Sequence, residues 1–170
     1  TAGAYTLAAA AGAAGAGGGT ALTVKGDIVN NSASNQAISM ALAFGGSSSG
    51  VINTAAGNIT ISGNLSGSGT ITKTGNSTLT LSGASKTNTG DVTINAGNVT
   101  VSGGALNTNI TVNSGANLIV GAHYGVAQSG GKIITINGGT LAVGGFYIEP
   151  NGGVVLNNGT ITGNPTSGGV

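Results

Sequence analysis

The carboxylates are the first side chains to consider for catalysis, because paired acids carry out general acid–base work on glycosidic bonds. This chain of 170 residues has only three acids, Asp27, Asp91 and Glu149, which lie far apart in the sequence. A repeat of about 20 residues per coil puts successive acids about three coils apart, which is about 15 Å at the usual strand spacing. Catalytic carboxylates of glycosidases lie about 5 to 9.5 Å apart. We therefore expect no acid–base pair.

Side chains for metal or nucleophilic chemistry are equally scarce. The chain has no Cys, and its single His, His123, has Tyr124 beside it and no neighbouring acid. Zinc sites use three or four Cys, His or carboxylate ligands, and calcium-binding β-rolls carry an Asp in every nine-residue repeat. The sequence therefore predicts no metal site, no cofactor and no enzymatic activity.

The charge composition excludes further classes of function. Four lysines and three acids are the only charged residues, and the net charge is +1, whereas about a quarter of an ordinary domain is charged. Nucleic-acid binding requires clustered Lys and Arg, so we predict no nucleic-acid partner. No apolar run is long enough for a transmembrane helix, which needs about 20 residues, so none is predicted. Lys73 is expected to be a solvated charge at a sheet edge.

A turn sequence recurs through the second half of the chain: an apolar residue, then Asn, then Gly two positions later. Its spacing of about 20 residues is typical of stacked-repeat folds. Gly allows the positive φ that a sharp corner requires, and stacked Asn side chains can hydrogen-bond from coil to coil. The predicted corner ladder consists of Asn95, Gly97, Asn113, Gly115, Asn137, Gly139, Asn157 and Gly159.

Short apolar/x/apolar triplets flank these corners and form two interleaved series. One series occupies residues 79–81, 99–101, 118–120, 141–143 and 161–162, and the other 71–72, 92–94, 110–112, 134–136 and 154–156. Side chains alternate along a strand, so the outer two residues of a triplet face inward and the middle one outward. The pattern predicts an all-β parallel β-solenoid with coils of about 20 residues. It leaves open whether each coil has two or three sheets, and it predicts an outward ladder of Thr72, Thr93, Thr111 and Thr135.

The same pattern divides the chain into two regions. Triplets at 22–24, 38–40 and 59–61 continue the repeats toward the N-terminus, so the solenoid body is predicted over residues 22–170. Residues 1–21 are rich in Ala and Gly, which provide too little side-chain volume for a core. We predict that this segment docks between subunits through a strand around residues 5–7. A flexible linker is the alternative.

Residues 67–103, GSGTITKTGNSTLTLSGASKTNTGDVTINAGNVTVSG, resemble the passenger-associated transport repeat of bacterial autotransporters. The matching positions are Gly67, Gly69, Lys73, Gly75, Leu79, Leu81, Ser82, Gly83, Thr93, Ile94, Gly97 and Val99. The resemblance implies a right-handed parallel β-helix that is secreted or displayed on the bacterial cell surface. It also implies a scaffold rather than an enzyme.

The two ends of the predicted solenoid indicate which partner the chain binds. Natural solenoids cap their ends, and the last corner, at residues 157–159, is followed by neither charged nor helix-forming residues. Head-to-tail pairing of unlike ends does not close and builds a fibre, so we expect a homo-oligomeric filament. The predicted subunit interface consists of Tyr5, Leu7, Val154, Leu156, Ile161 and Val170.

The predicted function is thus a structural, non-catalytic extracellular protein that assembles head to tail, with any host or cell-surface ligand unnamed. One alternative is a segment of an autotransporter-type adhesin passenger, in which neighbouring coils of the same chain cover the ends. A minor alternative is an ice-binding solenoid, because ranks of Thr such as Thr78 and Thr80 can order water. The following coil has Asn98 at the first of these positions, so those ranks are not maintained.

Overall fold

The chain folds as a β-solenoid of about seven coils. The computed structural model describes Gly3 and residues 6–7, 21–45, 49–127 and 129–163. These residues are all-β, and none of their segments is a helix long and apolar enough to cross a membrane. The predicted fold class, a parallel β-solenoid with coils of roughly 20 residues, is confirmed.

The strands are short because each spans only one side of a coil. In chain order they are β1 (Thr6–Leu7), β2 (Leu22–Val24), β3 (Ile28–Val29), β4 (Gln36–Ile38), β5 (Leu42–Phe44), β6 (Gly50–Asn53), β7 (Ile59–Ile61), β8 (Leu65–Gly67), β9 (Ile71–Thr74), β10 (Thr78–Leu81), β11 (Val92–Ile94), β12 (Gly97–Val101), β13 (Ile110–Asn113), β14 (Ala116–Val120), β15 (Ile134–Asn137), β16 (Thr140–Ala142), β17 (Val154–Asn157) and β18 (Thr160–Thr162).

Three parallel sheets form the sides of the solenoid. The eight-stranded sheet has the order β1-β4-β7-β10-β12-β14-β16-β18, the seven-stranded sheet β17-β15-β13-β11-β9-β6-β3, and the three-stranded sheet β2-β5-β8. The two predicted triplet series are the eight- and seven-stranded sheets, and both run in register from coil to coil. The triplet predicted at 38–40 is wrong, since the strand is Gln36–Ile38 and Ile38 pairs with Ile61.

The third side of the coil has strands only in the first part of the solenoid. After β8 it continues through single bridges, from Leu65 to Lys86 and from Leu106 to Val126. Each of these later coils therefore contributes one inward residue there instead of a strand. The number of sheets therefore differs along the chain: the first three coils have three sheets, and the later coils have two, with bridges at Lys86, Leu106 and Val126 on the third side.

The core is a set of columns that run along the axis. In β11 and β13 the first and third side chains of the triplet are buried and the middle Thr is half-buried on the outside. The predicted Thr ladder is present, because Thr72, Thr93, Thr111 and Thr135 pair in register on the outer face of the seven-stranded sheet. Alternation along short strands thus separates a narrow apolar core from a Thr and Asn surface.

Candidate functional site

The corner between the seven- and eight-stranded sheets carries a continuous ladder of Asn side chains. Asn113 Nδ2 donates to Asn95 Oδ1 over 2.7 Å, Asn137 Nδ2 to Asn113 Oδ1 over 3.5 Å, and Asn157 Nδ2 to Asn137 Oδ1 over 2.9 Å. Each of the inner amides donates to the preceding coil and accepts from the next. The ladder therefore links four coils outside the core.

The glycines of this corner divide into two kinds. Gly97 and Gly115 have φ of +67° and +78°, as a left-handed corner requires. For Gly139 and Gly159 that expectation is wrong, because the left-handed residue is the preceding one, Gly138 or Asn158. Gly159 is needed for space instead, since a Cβ there would collide with the Ile136 side chain.

The C-terminal end of the described solenoid exposes its core columns. Leu156 pairs with Ile136 and Ile161 pairs with Leu141 in the preceding coil. Ile136 and Leu141 are fully buried, whereas Leu156 and Ile161 are 52% and 48% exposed. Val154, the third of the predicted interface residues at this end, is exposed as well. These three side chains continue the core columns with no further coil against them among the described residues.

A groove of about 280 Å³ adjoins these side chains. It lies between the last strand, β18, and the segment that follows β16. Its lining is mostly apolar and consists of Val143, Phe146, Tyr147, Ile148, Ile161, Thr162 and Gly163.

The opposite end of the described solenoid also exposes an apolar side chain. Leu22 in β2 is 43% exposed, while its in-register partner Leu42 is fully buried. Leu7 lies in β1, which extends the eight-stranded sheet beyond β4. The structure thus places Leu7 and the group of Val154, Leu156 and Ile161 at opposite ends of one chain. Tyr5 and Val170 lie outside the described residues.

Two lysines are inside the solenoid, although the sequence pattern predicts no buried charge. Lys73 is fully buried, so the expectation of a solvated edge charge is wrong. It occupies an inward position of the seven-stranded sheet, in register with Ile52 and Ile94. Its Nζ donates to the carbonyl oxygens of Thr74 (2.9 Å), Gly75 (2.7 Å) and Ala96 (3.0 Å).

Lys86 is held in the same way at another corner. It takes the bridge position opposite Leu65, and its Nζ donates to the carbonyl oxygens of Gly83 (2.7 Å), Ser102 (2.7 Å) and Gly104 (2.5 Å). Three N–H donors meet three acceptors at each lysine, so each buried charge is fully hydrogen-bonded. Burial lowers the pKa of both amines to about 8.

A register argument could have found Lys73. It stands two residues after Ile71, where the next coil has Ile94 two residues after Val92. Strand alternation alone assigns that position to the core. No comparable signal existed for Lys86, because its side of the coil holds no strand at that level.

The acids lie on separate coils. Asp27 precedes β3, Asp91 precedes β11 and Glu149 precedes β17, so successive acids are three coils apart. Asp91 Oδ1 accepts from Asn109 Nδ2 over 3.0 Å, and Glu149 Oε1 accepts from the Tyr147 hydroxyl over 2.8 Å. His123 Nδ1 accepts from the backbone N–H of Tyr147 over 3.1 Å.

The features that single out a site are therefore the exposed apolar side chains at the two ends of the described solenoid, the corner ladder and the two buried lysines. Comparison with known proteins found no family model, no curated protein and no solved structure that matches this chain.

Proposed function

We propose that this chain is a structural, non-catalytic β-solenoid subunit that stacks end to end on further copies of itself to form an extracellular or cell-surface filament. The observation that carries the proposal is the exposure of two core columns at the last described coil. Leu156 and Ile161 are about half exposed, whereas their partners in the preceding coil, Ile136 and Leu141, are fully buried. Covering apolar surface of this kind is favourable by about 25 cal/mol per Å².

The sheet topology supports the end-to-end arrangement. All paired strands of the described residues are parallel, so the edge strands β17 and β18 of one copy could pair with the edge strands β3 and β1 of the next. A second copy can continue each sheet without reversing direction. Such a contact joins unlike surfaces and does not close on itself, so repetition gives a fibre.

The charge distribution also favours stacking. The chain has a net charge of +1, and two of its four lysines are buried. Neighbouring copies therefore repel one another little, and assembly should depend weakly on salt.

A longer adhesin passenger is the second candidate, supported by the resemblance of residues 67–103 to the autotransporter repeat. In that case adjoining coils of the same polypeptide cover Leu156 and Ile161. The two proposals share a secreted or surface location, which protease accessibility on intact source cells would test.

Electron microscopy and light scattering of the purified chain test the filament. Long unbranched fibres are expected above a critical concentration. Leu156→Lys and Ile161→Lys should block them, because each places a charge in the column that the next copy covers. Val155→Lys is the matched control, since Val155 lies on the same strand but faces outward in register with Thr135. Monomers that persist at high concentration, or unimpaired assembly of Leu156→Lys, would refute the proposal.

A further inference from the structure

An aromatic cluster stands out on an otherwise small-residue surface. The chain has three Tyr and two Phe, and three of these five residues, Tyr124, Phe146 and Tyr147, meet at one corner together with His123. The ring centroids of Tyr124 and Tyr147 are 5.3 Å apart, and those of His123 and Phe146 are 5.4 Å apart. In both pairs the ring planes meet at 83°, which is an edge-to-face contact. The backbone N–H of Tyr124 donates to the carbonyl of Tyr147 over 2.8 Å.

The fold does not require aromatic residues at this corner. Two earlier coils leave the eight-stranded sheet through Ser82-Gly83-Ala84 and Ser102-Gly103-Gly104, and these corners use the same backbone hydrogen bonds to the preceding coil, from Ser82 and Ser102. Small residues thus suffice to make the turn. Phe146 packs against the core, but the exposed Tyr124 and Tyr147 need another explanation.

Tyr124 also has an unfavourable backbone conformation. Its φ is +56°, in the left-handed region that favours Gly or Asn. Its side chain is 46% exposed, so burial offsets little of that strain. A strained, exposed aromatic residue points to a function other than folding.

The charge at the cluster selects the kind of ligand. Glu149 is the only charged residue in the segments 121–127 and 143–150 that form the corner, and its carboxylate accepts from the Tyr147 hydroxyl over 2.8 Å. Aromatic ring faces are electron-rich and attract cations within about 6 Å of the ring centroid. Both features disfavour an anionic ligand and favour a positive one.

The shape of the cluster narrows the choice further. The Tyr124 and Tyr147 rings stand at 83°, so they form a corner and not the flat platform on which a sugar ring would stack. In this edge-to-face pair the edge of one ring covers the face of the other, so a compact, rounded cation would lie against an open face of the edge-on ring, in the angle between the two rings. We propose that this cluster, Tyr124, Tyr147 and Glu149, binds an alkylammonium group such as a quaternary ammonium.

Titration of the whole chain with choline tests the site, with the tyrosine ring signals followed by NMR. The neutral isostere 3,3-dimethyl-1-butanol and the neutral sugar maltotriose are the comparison probes. Because Tyr147 also borders the end groove, the titration is run below the concentration at which the chain assembles. Choline should shift the Tyr124 and Tyr147 signals saturably in the millimolar range, while Tyr5 reports unspecific effects.

Two variants make the test specific. Glu149→Gln should weaken choline binding about two- to fivefold, the effect of one exposed cation contact. Tyr124→Gly should abolish binding while the fold is kept or becomes more stable, because Gly removes the left-handed strain. No saturable shift, equal shifts with choline and the alcohol, or a response to maltotriose alone would each overturn the proposal.

Discussion

The buried amino group of Lys73 reaches from its own coil to the next, where it donates to the carbonyl oxygen of Ala96 over 3.0 Å. Lys86 makes the equivalent link between Gly83 and the carbonyls of Ser102 and Gly104. Both lysines therefore join the same two neighbouring coils from inside. Their hydrogen bonds are charge-assisted, which makes each stronger than a neutral one.

Replacing Lys73 should destabilise the fold. Lys73→Met retains much of the buried volume but removes three hydrogen bonds to carbonyl oxygens, of which only the Thr74 oxygen keeps another donor, the Thr54 N–H. The free energy of unfolding should therefore fall by about 1–3 kcal/mol. Lys25 is exposed, so Lys25→Met is the matched control, with a change within about 0.5 kcal/mol. Urea unfolding followed by circular dichroism measures both. Equal stability of the two variants would contradict the role assigned to Lys73.

The same lysines should make stability depend on pH. Burial lowers the pKa of each to about 8 in the folded chain, from 10.5. Between these values the unfolded chain binds more protons, so the free energy of unfolding should rise with pH. Below pH 8 both lysines are protonated in both states and contribute no slope. Urea unfolding at a series of pH values measures the slope, and Lys73→Met should halve it. A free energy that falls through this window would argue against the lowered pKa values.

The Asn ladder should show graded effects. Asn113 makes two ladder hydrogen bonds and Asn157 makes one. At roughly 1 kcal/mol per hydrogen bond, Asn157→Ala should lower the free energy of unfolding by about 1 kcal/mol and Asn113→Ala by about 2 kcal/mol. Thermal unfolding of the two variants, each against the parent chain, gives the comparison. Identical losses would mean that the ladder does not act bond by bond.

Close packing between coils should make Gly63 intolerant of a side chain. A Cβ at Gly63 would collide with the Met40 carbonyl oxygen, whereas nothing lies within 4 Å of one at Gly26. Gly63→Ala should lower the free energy of unfolding by about 1–3 kcal/mol or more, because one backbone segment must move. Gly26→Ala should be neutral or stabilise by up to about 1 kcal/mol. Denaturant midpoints of the pair decide the matter, and a tolerated Gly63→Ala would show that adjacent coils can separate locally.

The sequence predicts two sides of the solenoid well because each strand there buries two residues on either side of an outward one. Beyond β8 the third side is not predictable in this way, since Lys86, Leu106 and Val126 each stand alone at their level. The error at residues 38–40 has a related cause. Ile38 and Met40 form an apolar pair in sequence, but register with Ile59 and Ile61 fixes the strand two residues earlier.

The buried lysines were missed for a different reason. Charged side chains are normally exposed. Only the pairing of Lys73 with the inward-facing Ile94 of the next coil indicates that this lysine is buried. The strain at Tyr124 and the edge-to-face ring pairs are likewise invisible in composition, because they depend on how the corners of two neighbouring coils stack on each other.

The parallel sheets imply how the molecule would respond to force. Strands run across the long axis, so tension applied along that axis loads one layer of backbone hydrogen bonds at a time. Coils at the two ends, with exposed Leu22 and Leu156, should peel first. The boundary held by Lys73 and Lys86 should rupture last, and a single-molecule extension trace would then show small successive steps before one larger event.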